Sequence, residues 1–131
     1  MKGLRYAGAA GMILFLTVFF FSCSEENNPF SLNGTWHVEE NSQLYGTQHY
    51  DVRITQLDST NIEISNFYNL GVDTYVRAIL DESTLAVPKQ DVSGYIIRGS
   101  GSIKSDFKRI TFNFTASDGT VQDVVVAQFK R

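Results

Sequence analysis

Residues 31–131 predict an all-β domain, an eight-stranded antiparallel up-and-down barrel, on three observations. Apolar and polar residues alternate with a period of two along segment after segment, the spacing of strands with one wet face and not of a helix. Short runs of Asn, Asp, Gly and Ser join these segments, which favours antiparallel neighbours. Eight such strands are best closed on themselves, because closure removes the unpaired edges that invite aggregation.

The chain ahead of this domain is of another kind. Lys2 and Arg5 precede an apolar segment from about Ala7 to Phe21, and Ser22 stands before Cys23, the only cysteine of the 131 residues. Cationic residues, an apolar core of roughly 7 to 15 residues and a small residue before the cut make an export signal. The uncharged run from Tyr6 to Ser24 is 19 residues long, close to the ~20 that cross a bilayer, so an uncleaved span is the alternative reading. No basic stop-transfer cluster follows it.

Phe20-Phe21-Ser22-Cys23 resembles the lipobox of bacterial lipoproteins, with bulkier residues ahead of the cysteine than its commonest version. The resemblance implies that residues 1–22 are a signal peptide that is cut away. It also implies that Cys23 is the lipid attachment site, acylated on its thiol and on its new amine with chains such as palmitate. Two or more chains anchor stably where one does not, so the expected first partner is a membrane. Ser24-Glu25-Glu26 resembles a short signal that, in some gram-negative bacteria, sends lipoproteins to the outer face of the outer membrane; an acidic solvated tether is the competing reading. Residues 23–30, with two Asn and Pro29, read as the lipidated cysteine and a flexible linker.

Without residues 1–22 the chain has 109 residues, one domain, and no cysteine beyond the anchor. Lys2 and Arg5 leave with the signal, so nine cationic side chains face fourteen anionic ones, a formal charge of minus five. That balance argues against a nucleic-acid partner, which would select clustered Lys and Arg.

Along the domain, Trp36 and Val38 alternate with Thr35, His37 and Glu39 in the first strand, and a Ser42 to Gln48 loop follows. Tyr50, Val52 and Ile54 mark the second strand, a turn over Leu57 to Thr60 follows, and Ile62 and Ile64 mark the third. Phe67 to Gly71 reads as a link. Asp73 to Leu80 is a strand apolar on both sides, which periodicity does not orient. Thr84 to Val87 is a short strand stopped by Pro88, which has no ladder donor. Tyr95 to Ile103 carries Gly99 and Gly101 on one face, the mark of a bulge, a bend or a close backbone approach. Ile110, Phe112 and Phe114 form the next strand, and Asp118-Gly119 predicts a type I′ hairpin into Val121 to Phe129.

Gly34-Thr35-Trp36 opening an eight-strand meander resembles the lipocalin and wider calycin barrels. The resemblance implies that Trp36 closes the barrel floor against a basic residue from a late strand, here Lys130 or Arg131. The chain is shorter than a true lipocalin and lacks a helix after the barrel.

No catalytic residues are expected: nucleophile elbow, phosphate loop and dinucleotide fingerprint are all absent. His37 and His49 show no metal-ligand spacing, so neither metal nor other cofactor is expected. The expected function is non-enzymatic binding. Trp36, Tyr50, Tyr95, Phe112 and Phe114 lead the probable floor and interior, bulky enough to fill a barrel this narrow. A pocket, if open, would hold a small apolar ligand with the Tyr50 and Tyr95 hydroxyls as handles. The alternative is a solid-cored module that docks an envelope protein, inhibits or assists adhesion. Val124 and Val126, with Tyr75 and Ile79, would be its outward apolar surface.

Overall fold

The computed structural model describes residues 31–131. The expected signal peptide over residues 1–22, the expected attachment site Cys23 and the expected linker through residue 30 lie outside the described residues. Eight strands follow in order: β1 (Gly34–Ser42), β2 (Gly46–Gln56), β3 (Asn61–Ser65), β4 (Tyr75–Asp81), β5 (Thr84–Val92), β6 (Tyr95–Ile103), β7 (Arg109–Ser117) and β8 (Gln122–Lys130). Each pairs antiparallel with the next, and β8 returns to β1, which closes an up-and-down barrel of lipocalin-like type. Because strand direction alternates, the barrel has two distinct ends. Ser31 and Arg131 lie at the floor, and the β1–β2, β3–β4, β5–β6 and β7–β8 connections form the mouth.

The two-residue alternation decides what points inward. Trp36, Val52, Ile64, Val76, Ile97, Phe112 and Phe129 are among the fully buried residues, while their sequence neighbours face water. Close approach is what the glycines of β6 permit. A Cβ on Gly99 would lie 2.3 Å from the Asn113 carbonyl and 2.5 Å from Phe114 Cβ, and one on Gly101 would lie 2.7 Å from the Phe112 ring. The aromatic rings of β7 thus take the volume that β6 leaves free.

Pro88 does not stop β5. The strand continues to Val92 through a register shift between Val87 and Gln90, a bulge that absorbs the missing donor. β4 pairs with β5 only over Ile79–Asp81, and Gln90 bridges the gap beyond. Its Nε2 donates to the carbonyls of Arg77 (2.9 Å) and Pro88 (2.8 Å), and its Oε1 accepts from the Arg77 N–H (2.9 Å). A side-chain amide here replaces a peptide group of the ladder.

The turns differ from expectation in two places. Ser117 pairs with Gln122, so β7 and β8 are joined by four residues, and Asp118 has no positive φ; a type I′ turn is therefore excluded. Asp118 Oδ1 instead accepts from the N–H groups of Thr120 (2.8 Å) and Val121 (3.0 Å). Ser93-Gly94, between β5 and β6, has both φ angles positive, at 52° and 87°, and is the two-residue turn of that type. The β1–β2 loop is also shorter than expected, only Gln43-Leu44-Tyr45, because Ser42 already pairs with Gly46.

The Phe67 to Gly71 link enters the barrel. A short 3₁₀ turn, Phe67–Asn69, drives Phe67 into the core with its ring 5.6 Å from Phe112, 4.6 Å from Phe114 and 6.1 Å from Phe129. The interior is therefore solid at the mouth end. On the outside, Tyr75 and Ile79 of β4 and Val124 and Val126 of β8 are exposed. Three strands separate β4 from β8 either way round the closed ring of eight, so these pairs lie on opposite sides and form no common patch.

Candidate functional site

At the floor, the Trp36 ring is fully buried and its Nε1 donates to the Leu32 carbonyl (2.9 Å). Arg131 is the basic residue over it, with the guanidinium carbon 4.3 Å from the ring centroid; Lys130 is exposed. The same guanidinium donates to the carbonyls of Phe107 (2.9 Å), Asn33 (3.3 Å) and Ser31 (2.6 Å). Burial lowers the Arg131 pKa from its ordinary value. Trp36 and Arg131 thus close the barrel interior at this end.

The mouth is different because the inward phase there carries polar residues. On β1 the series Trp36, Val38 continues to Glu40 and Ser42, and on β8 the series Phe129, Ala127, Val125 continues to Asp123. Glu40 and Asp123 are each only 1% exposed. Tyr68 reaches them from the link with φ at 57°, a left-handed conformation that bulky residues adopt only when their surroundings enforce it. Asn66 braces the link by donating to the Asp51 carbonyl (2.8 Å) and accepting from the Gly71 N–H (2.8 Å).

Asp123 sits at the centre of this network. Its Oδ2 accepts from Ser42 Oγ and from the Tyr68 hydroxyl (2.6 Å), and its Oδ1 from the Leu44 N–H (3.1 Å). Burial works to raise its pKa, but these donors outweigh burial and hold the carboxyl below its ordinary value. Glu40 accepts from the Tyr50 hydroxyl at 2.5 Å. Burial raises its pKa, the Tyr50 bond opposes, and the charge of Asp123 adds to the rise. Burial and the neighbouring Glu40 in turn push the Tyr50 hydroxyl well above 10.0. The two carboxyl groups are thus driven in opposite directions.

Among the described residues, neither acid has a cationic partner. The one close contact between a basic and an acidic side chain among the described residues is the exposed His37–Asp51 hydrogen bond (2.7 Å). No group of three or more potential metal ligands occurs among the described residues. Above the network lies an open pocket of about 270 Å³ lined by Glu40, Tyr45, Gln48, Tyr68, Asn69, Leu70 and Tyr95. A larger groove of about 560 Å³ runs along the β4–β5 gap, but exposed side chains such as Tyr75, Arg77 and Lys89 line it and no buried polar group opens into it.

Of the residues singled out from sequence, Phe112 and Phe114 lie in the interior, Trp36 at the floor, and Tyr50 and Tyr95 half-buried at the mouth. Tyr95 stacks edge-on against Tyr68, 5.5 Å between centroids. Glu40, Ser42, Phe67, Tyr68 and Asp123 were missed. The signal for Glu40, Ser42 and Asp123 was their phase, since each continues an inward apolar series; Phe67 and Tyr68 sit in a link with no periodicity to read.

No protein-family profile matches the chain, and no curated protein does. Among solved structures, a redesigned β-barrel is similar, with a TM-score of 0.56 and 16% identity over 76% of this chain and 90% of that one. At that identity the likeness shows the fold alone, a β-barrel.

Proposed function

We propose that the chain is a lipid-anchored envelope protein of a gram-negative bacterium, held in the outer membrane through acyl chains on Cys23. Its barrel acts as a non-enzymatic binding module that takes its ligand at the mouth. The observation that carries this reading is the plug: Phe67 fills the space a lipocalin-type cargo would occupy and leaves a concave polar mouth above it. That mouth suits a small ligand with a cationic or donor-rich group, because Glu40 is buried, lines the pocket and has no basic partner among the described residues. Binding is favoured over catalysis because the Asp123 carboxylate is already taken up by Ser42, Tyr68 and the Leu44 N–H. The mouth also lies at the end of the barrel opposite Ser31, where the tether comes in, so it faces away from the bilayer.

A second reading, docking of an envelope protein, is favoured by Val121, Val124 and Val126, all exposed on or beside β8. Native mass spectrometry of protein from its own cells decides between them. Acyl mass on Cys23 with a small retained ligand supports the first reading, and acyl mass with a co-isolated protein the second. A Cys23→Ala chain that remains with the membranes would sink the anchor.

A further inference from the structure

We infer that the floor end of the barrel carries a docking surface for anionic lipid headgroups, formed by Lys104, Lys108, Arg109 and Lys130, which holds the β6–β8 side of the floor against the membrane. This rests on the Cys23 anchor of the preceding reading and adds an orientation that the anchor alone does not set. The domain carries nine cations against twelve acids, yet these four and Arg131 line one hollow of about 480 Å³, with Asp106 as its one acid.

Asp106 is already engaged by the Lys108 N–H (3.0 Å), and none of the four cations forms an ion pair among the described residues. Arg109 and Lys130 stand directly opposite each other on β7 and β8, an arrangement of like charges that costs stability in a sheet. An anionic surface would relieve it. At this end the other turns carry Asp58 and Glu82, with Asp81 closing β4, so the floor is basic on the β6–β8 side and acidic on the β2–β5 side.

The chain comes in on the basic side. Arg131, next to Lys130, holds the carbonyls of Ser31 and Asn33. Eight residues from Cys23 to Ser31 reach at most about 29 Å. The tether therefore keeps the basic side close to the bilayer, where attraction to anionic lipid acts within about a Debye length.

Residues 23–131 contain four lysines, Lys89, Lys104, Lys108 and Lys130, and Lys89 lies toward the mouth on β5. The test is the full lipidated protein in vesicles of phosphatidylcholine, with and without phosphatidylglycerol, treated with an amine reagent that does not cross membranes. Phosphatidylglycerol should slow labelling of Lys104, Lys108 and Lys130 several-fold relative to Lys89. High salt, or the surface double variant K108E/R109E, should remove the difference. Flotation with both vesicles but equal labelling ratios overturns the docking surface alone. Failure to float with either overturns the anchor and this inference together.

Discussion

The Tyr68 hydroxyl donates to Asp123 Oδ2 across 2.6 Å, from a residue whose backbone is held at φ 57°. This single bond joins the β3–β4 link to the start of β8, 55 positions away in sequence, and so fastens the plug to the barrel wall. Tyr68→Phe leaves the rings against Tyr95 and Phe114 in place but removes a donor from a buried carboxylate. The expected loss is about 1.5 to 3 kcal/mol, read by urea unfolding with an unchanged slope.

Glu40 and Asp123 should give the protein opposite responses to pH. The folded pKa of Glu40 lies above its ordinary 4.5, so its contribution is present below 4.5 and lost as pH rises through the raised value. Asp123 lies below 3.8 when folded, so its contribution is present above 3.8 and lost as pH falls. Glu40→Gln should flatten the decline in melting temperature between pH 4.5 and neutrality. An unchanged slope would show that Glu40 is already ionised without penalty.

Arg131→Ala removes the cation over Trp36 and three bonds that tie Phe107, Asn33 and Ser31 to the floor. The expected cost is about 1 to 3 kcal/mol. Arg131→Lys should recover only part of it, because an ammonium lacks the planar fork. Trp36 is the only tryptophan, so its emission should shift to the red in Arg131→Ala and reports the floor directly.

Gly99→Ala places a methyl group 2.3 Å from the Asn113 carbonyl, which lies in the backbone of the neighbouring strand. β6 and β7 must move apart, at about 2 to 3 kcal/mol. Gly94→Ala meets open space and pays only for its positive φ of 87°, about 1 kcal/mol. Equal melting temperatures for the two variants would contradict the close approach.

Gln90→Ala should open the β4–β5 seam without unfolding the barrel. The Arg77 N–H loses its acceptor, so its hydrogen exchange should accelerate, while amides of β7 and β8 exchange as before. A global rise in exchange would assign Gln90 a wider role.

Period-two alternation is a local property of the chain, and it was enough to establish the all-β class, the eight strands and the inward series of β1, β2, β7 and β8. What the sequence by itself could not determine was how those series end. Whether Glu40 faces water or protein depends on Phe67 and Tyr68 folding over it from another part of the chain, and Asp123 finds Ser42 across 81 positions. Pro88 inside a strand and Gln90 across its gap were likewise decided by neighbours, since β5 can bulge only where β4 has stopped pairing with it. Burial and hydrogen bonding at the mouth are set by contacts between distant segments, and those exist only once the barrel has closed.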